Sequence, residues 1–271
     1  MNFAFSEEQE ELRATARRFL EQKVPSSVVR RLMDTDDGFD RALWQENAAM
    51  GWQAMAIPER YGGAGFGFVE LVVLLQEMGR ALYPSPFFSS AILGAYTILE
   101  SADDERKEKL LPGIASGEHR VALAITEPAG RWDEPGIQLE ALPDSGDWVL
   151  RGTKSFVIDG HTADTLIVAA RTSLGPAGIS LFIVPGEDVT RRQLDTMDTT
   201  RKQAEVVFDS LRVPGDALLG AEGDGWPILA RVLDLASVAL AAEAVGGAER
   251  CLEMSVEYAK TRVQFGRPIG S

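Results

Sequence analysis

Ala122-Leu-Ala-Ile-Thr-Glu-Pro-Ala-Gly-Arg-Trp-Asp133 divides this chain of 271 residues. Upstream of it the sequence reads helical. Downstream the apolar residues alternate, as they do in a sheet. Val121 to Ile125 is a short apolar run that fits a buried strand. Thr126-Glu127-Pro128 stops that strand, because Pro128 cannot donate to a ladder and drives Glu127 out of the α region. A strand that stops here presents free backbone N–H groups and one hydroxyl, Thr126, above the sheet. A flat polar ring could use both. From these residues alone a plain strand-to-loop junction reads equally well.

Toward the N-terminus, Ser6 followed by Gln9 has the form of a capping box. Leu12, Ala16, Phe19 and Leu20 then fall on one helical face, and Pro25 ends or kinks the helix. A second helix is predicted from Asp40 to Met50, with Trp44 and Ala48 one turn apart and Gly51 as its stop. The glycine-rich stretch Ile57-Pro-Glu-Arg-Tyr-Gly-Gly-Ala-Gly65 lacks the Gly-Lys-Ser/Thr ending of a phosphate loop and reads as a structural turn. Further helices are predicted at about Val69 to Leu82, Phe87 to Leu99 and Asp104 to Ala115.

Toward the C-terminus, short strands are predicted at Ile137 to Leu142, Trp148 to Gly152, Phe156 to Ile158, Leu166 to Ala170, Ile179 to Val184 and Val206 to Phe208. They imply an antiparallel β domain, a barrel or a sandwich of two small sheets. Val213 to Gly225 is an exit linker. Asp224 then sets a helix N-terminus, with Pro227 in the first turn. The next proline-free stretch, to about Val263, would make a helix of roughly 55 Å. Ile228, Val232, Leu235, Ala239 and Ala242 share one face, and the small residues Ala241 to Ala248 would let a neighbouring helix approach closely. A single small β domain cannot cover such a face. The helix is therefore expected to open a bundle whose other helices come from residues after Ser271, from another subunit, or from both. The fold class is α+β: an N-terminal α-helical domain over 1–119, a middle antiparallel β domain over 120–222, and the first long helix of a C-terminal bundle over 223–271.

Composition narrows the function. A hydrophobic share of 45% and a charged share of 25% are those of an ordinary globular protein. A net charge of −14 argues against a nucleic-acid or anionic-membrane surface. The most apolar stretch, Leu235 to Ala248, is interrupted by Glu243 and is too short to span a bilayer. The acidic Met1-Asn-Phe-Ala-Phe-Ser-Glu-Glu8 lacks the apolar core of a signal peptide. One cysteine, Cys251, excludes an internal disulfide, fits a reducing cytoplasm, and is expected as a small core residue. His119 and His161 stand alone in predicted loops, so no metal site is expected.

Thr261-Arg-Val-Gln-Phe-Gly-Arg-Pro-Ile269 resembles the Arg-x-x-Phe-Gly segment of acyl-CoA dehydrogenases. Ile57-Pro-Glu-Arg-Tyr-Gly-Gly63, Leu110-Leu-Pro-Gly-Ile-Ala-Ser-Gly117, Thr126-Glu-Pro128, Gly152-Thr-Lys154 and Val213-Pro with Leu218-Leu-Gly220 also resemble family stretches, in family order and spacing. The resemblance spans the whole chain. It implies FAD as cofactor and α,β-dehydrogenation of an acyl-CoA thioester. In that reaction a glutamate removes the α proton while a hydride passes to the flavin N5. The base is needed because the α C–H is a poor acid even beside a thioester.

Carried over position by position, the resemblance implies that the segment from Leu123 through Ile125 to Trp132 lines the flavin, with Thr126 bonding its pyrimidine ring. Phe156, Val157 and Ile158 would cover the other side. Arg262 and Phe265 would reach a flavin bound across a dimer interface. Trp132, Asp234 and Ser237 would meet the substrate. Four departures accompany these matches. Ile158 stands where many relatives have a threonine that donates to N5. Trp132 stands where relatives have a serine that touches the CoA arm. Ala236 and Ser237 stand where some relatives carry the base and an arginine. The usual base would lie beyond Ser271, so no residue here is named as catalytic.

The implied partners are an acyl-CoA, a like or unlike family subunit, and an electron-transfer flavoprotein as acceptor. Gly79-Arg-Ala-Leu-Tyr-Pro-Ser-Pro86 resembles the heteromeric members that act on steroid side chains in actinobacteria. The alternatives are a non-catalytic partner subunit, which the four departures favour over a plain homotetrameric enzyme, and a flavin monooxygenase on the same fold.

Overall fold

The computed structural model describes residues 4–175 and 178–271. Its contacts separate two units. The helical unit takes the described residues up to Arg30, then Phe68–Tyr83 and Ser237–Ser271. The sheet unit takes Arg31–Gly67 and Pro84–Ala236.

In the helical unit, α1 (Glu7–Lys23) opens on the expected capping box between Ser6 and Gln9 and buries Ala16 and Leu20. Helix α4 (Phe68–Ala81) buries Leu71, Val73, Leu74, Leu75 and Met78, together with one charge, Glu77. Arg17 grips that carboxylate through two nitrogens, at 2.9 and 2.8 Å, which is what makes the burial of a charge tolerable. The last helix, α7 (Gly225–Thr261), packs against α4 backbone to backbone. A Cβ built on Gly246 would lie 1.8 Å from the Gln76 carbonyl oxygen, and one on Gly79 would lie 2.0 Å from that of Glu243. The small residues expected to allow close approach do so here. Cys251 is exposed, not in the core. Five residues on from Gly246, it sits about 140° round the helix from the contact. Leu240, Val245, Leu252, Met254 and Tyr258 are also exposed on α7.

In the sheet unit, α2 (Ser26–Met33) begins in the helical unit and ends here. Helix α3 (Arg41–Ala49) is capped by the Asp40 carboxylate, which accepts from two backbone N–H groups. A seven-residue π-helix (Phe88–Gly94), wholly buried, runs into α5 (Ala95–Glu100), and α6 (Asp104–Ala115) follows. The sheet strands are β1 (Val121–Ala124), β2 (Glu140–Asp144), β3 (Asp147–Ile158), β4 (Thr165–Arg171), β5 (Ile179–Pro185), β6 (Thr190–Gln193), β7 (Gln203–Val213) and β8 (Leu218–Leu219). They form one sheet in the order β6-β7-β3-β2-β4-β5-β8, with β1 branching from β4. Most neighbours are antiparallel, but β1 runs parallel to β4, from Val121 opposite Thr165 to Ala124 opposite Val168. Phe182, Phe208, Leu150 and Leu166 centre the core.

Two details position the site. Gly94 of the π-helix comes within 2.8 Å of the Val121 Cβ when a Cβ is added, so only glycine lets β1 lie this close. The two strands predicted at Trp148 to Gly152 and Phe156 to Ile158 are one strand, β3, with a break in its pairing to β7 between Lys154 and Val157. No helix among the described residues is long and apolar enough to cross a membrane.

Candidate functional site

The break in β3 faces the end of β1. There the Ser155 N–H leaves the β7 ladder and donates to the Thr126 carbonyl at 2.8 Å. This bond sets the stretch after β1 beside Phe156. The backbone at Phe156 has φ +58, a left-handed value that aromatic residues rarely adopt. Its ring is turned outward and is 48% exposed. Val157 returns to the core, and Ile158 is half-buried. Thr126 is half-buried and its hydroxyl has no hydrogen-bond partner among the described residues. Leu123 and Ile125 bury their side chains, so these two offer a ligand their backbone alone. The outcome is a ledge with one open hydroxyl, one aromatic face and one aliphatic wall.

Three buried ionisable groups hold the ledge, Lys154, Glu127 and Asp159, and the sequence assigns none of them a role of its own. Lys154, with 0% of its surface exposed, donates from Nζ to the Ile125 carbonyl at 2.9 Å and to Glu127 Oε1 at 2.8 Å. The same Glu127 oxygen accepts the backbone N–H groups of Gln138 and Leu139, each at 2.8 Å. Burial pushes the Lys154 ammonium down to about 8 against the opposing pull of Glu127. At the far end, Asp159 accepts from Ser89 Oγ of the π-helix at 2.7 Å, and its own backbone, at φ +52, donates to the Lys202 carbonyl. A signal for Lys154 was present in the sequence: it shares the inward phase of β3 with Leu150, where a charge needs a buried partner.

Burial raises the Asp159 carboxyl to about 6. A carboxyl with a raised folded value favours the fold most when protonated. Its contribution is complete below about 3.8 and is lost as pH climbs through about 6. Asp159→Asn keeps an acceptor for Ser89 and removes the charge. The variant is expected to melt above the parent at about pH 8, with the gain gone by about pH 4; calorimetry across that range checks it. A gain that is the same at both pH values would contradict this reading.

Trp132 and Asp234 come together across a cleft of about 480 Å3. Trp226, Ala230 and Leu233 supply its other walls, and Arg131 and Asp133 flank Trp132. Trp132 is 64% exposed, while Arg131 and Asp133 close a two-point ion pair beside it at 2.9 and 2.6 Å. Ser237 lies one turn beyond Asp234 on α7 and is exposed. Ala236, between them, is buried.

In the helical unit, Arg262 directly follows α7 and donates its backbone N–H to the Tyr258 carbonyl at 2.8 Å. A two-residue hairpin follows, built from β9 (Val263–Gln264) and β10 (Arg267–Pro268). Its tip is Phe265-Gly266, with φ +51 and +77, the double left-handed geometry of a type I′ turn. Phe265 is fully exposed there. Asn, Asp and Gly are the residues that such a turn prefers, so a phenylalanine at its first left-handed position is unusual.

The comparisons agree with this architecture. The models of the acyl-CoA dehydrogenase N-terminal, middle and C-terminal domains match residues 6–118, 122–211 and 223–271. An acyl-CoA dehydrogenase of Bacillus subtilis is 34% identical over 274 residues, covering 98% of this chain and 72% of the relative. The structure of butyryl-CoA dehydrogenase from Megasphaera elsdenii superposes with a TM-score of 0.90 at 31% identity, over 99% of this chain and 73% of that one. A steroid ACAD variant superposes with a TM-score of 0.84 at 32% identity, over 98% and 70%. This chain belongs to the acyl-CoA dehydrogenase family.

Proposed function

We propose that this chain supplies the flavin-facing ledge of an FAD-dependent acyl-CoA dehydrogenase. The observation that carries the reading is the Ser155-to-Thr126 bond, which puts an open hydroxyl and an outward aromatic face side by side. The edge of a flat ring needs hydrogen-bonding groups and its faces need dry walls, and the ledge has both. FAD, when bound, supplies the hydride acceptor for α,β-dehydrogenation. Thr126 orients the ring edge. Phe156 and Ile158 exclude water from one face, and Ile158 offers no hydroxyl there. The Trp132–Trp226 cleft receives the thioester arm, with the Asp234 carboxylate accepting from its amide N–H groups. Arg262 and Phe265 serve the flavin of another subunit, and electrons leave to an electron-transfer flavoprotein. The division into ranges 1–119, 120–222 and 223–271 belongs to the same proposal.

A second reading, a non-catalytic partner in a hetero-oligomer, gains from Ala236. This residue is buried and has no group that can take a proton. Steroid side chains are the substrate class that fits this reading, given the likeness at residues 79–86.

Equilibrium titration with FAD, followed by quenching of flavin fluorescence, tests the ledge. Thr126→Val keeps the shape and removes the hydroxyl. Its affinity is expected to fall about fivefold to tenfold, the worth of one hydrogen bond. An unchanged affinity, or no FAD uptake by the parent with or without a second family subunit, would overturn the reading.

A further inference from the structure

We propose that the buried Lys154–Glu127 pair is a positioning device for the ledge: it pins Ile125–Glu127 against Ser155–Phe156 and so fixes where Thr126 presents its hydroxyl. The proposal rests on the flavin reading only for the ligand it names. The pinning itself stands on this chain's geometry.

Three backbone segments meet at the pair. Lys154 belongs to β3, and its ammonium crosses to the Ile125 carbonyl, one residue beyond the end of β1. Glu127 belongs to the loop after β1, and one of its oxygens gathers the ammonium and the N–H groups of Gln138 and Leu139, which lead into β2. None of these contacts touches the open side of the ledge. Each fixes a neighbour of a residue that does. Ile125 and Glu127 bracket Thr126, and Lys154 precedes Ser155, whose N–H bonds the Thr126 carbonyl.

Stability does not account for the pair. Two buried charges gain little over apolar residues of the same volume, because desolvation cancels most of their attraction. Geometry does account for it. The left-handed backbone at Phe156 persists only where its surroundings over-determine it. An ammonium on β3 with two fixed acceptors on the facing stretch, Ile125 and Glu127, is such a constraint, and a methionine of similar length is not.

The test uses the full chain and the double variant Lys154→Met/Glu127→Gln. That pair is uncharged and similar in volume, and glutamine keeps an acceptor for Gln138 and Leu139. What it deletes are the two Nζ bonds, to the Ile125 carbonyl and to residue 127. The variant is expected to melt within a few degrees of the parent. Amide hydrogen exchange should quicken about tenfold in residues 125–127 and 155–157, the order of fold-change that a lost hydrogen bond gives. Exchange in β4 and β5 should stay as it was. FAD affinity should fall by a similar factor. Unchanged exchange at the ledge would overturn the proposal. So would a uniform quickening across the sheet, because that is general loosening. Quickened exchange with undiminished FAD affinity would also overturn it. If the parent takes up no FAD, the flavin reading fails, and the exchange pattern still decides whether the pair pins the ledge.

Discussion

Lys154→Met alone is expected to lower the unfolding free energy by about 3–5 kcal/mol, the usual cost of leaving one member of a buried ion pair behind. The reason is local. Glu127 would stay buried, with two backbone donors but no counter-charge. The Ile125 carbonyl would lose its ammonium partner at the same time. Adding Glu127→Gln should restore most of the loss, because the stranded charge goes with it. Urea unfolding of the parent, the single and the double variant forms a cycle that reads the coupling directly. A loss below about 1 kcal/mol in the single variant would mean that water reaches Glu127 and that the site is not closed as described.

The second large effect is on chemistry. This chain by itself is expected to turn over no acyl-CoA, falling short of a competent family enzyme by at least the 10²–10⁴-fold that a positioned base is typically worth. The carboxylates that hold the ledge are occupied. Glu127 binds three donors through one oxygen, and Asp159 is tied to Ser89. Asp133 is locked to Arg131. Ala236 offers nothing on α7. An assay with acyl-CoA thioesters and an artificial electron acceptor checks this, and turnover by the chain alone would refute it. Activity that appears only on mixing with a second family subunit would favour the partner reading. In that mixture Arg262→Ala should lower flavin retention, since a guanidinium suits a pyrophosphate.

Much of the architecture was legible because it follows from period and caps. The Ser6–Gln9 box, the Asp40 cap and the proline-free run of α7 each place an element through one local rule. β4 and β5 read as strands because both are buried along nearly their whole length. Elsewhere a local rule reached only part of the way. Pro25 is expected to end or kink α1, and α1 does stop at Lys23, but the Pro25 carbonyl also accepts from Val28 and Val29, so it opens α2 as well. β6 carries Thr190, Arg191, Arg192 and Gln193, without an apolar phase to betray it. β3 was split in two because a bulge interrupts its alternation at Ser155–Phe156.

The candidate site divides the same way. That Thr126 stands at a strand end is legible from Pro128, which cannot continue a ladder. Trp132 and Asp234 are candidates by resemblance, and the cleft they line adds Trp226, which no local pattern marks. The Lys154–Glu127 contact joins residues 27 apart in sequence, and only the fold brings them within 2.8 Å.

A crystal structure of the FAD-loaded protein, alone or with a second family subunit, tests the central claim most directly. The account predicts the pyrimidine edge of the ring within about 3 Å of the Thr126 hydroxyl, a normal hydrogen-bond distance, with one face against Phe156 and Ile158. A flavin bound elsewhere, with the Thr126 hydroxyl still open and Phe156 still bare, would contradict it.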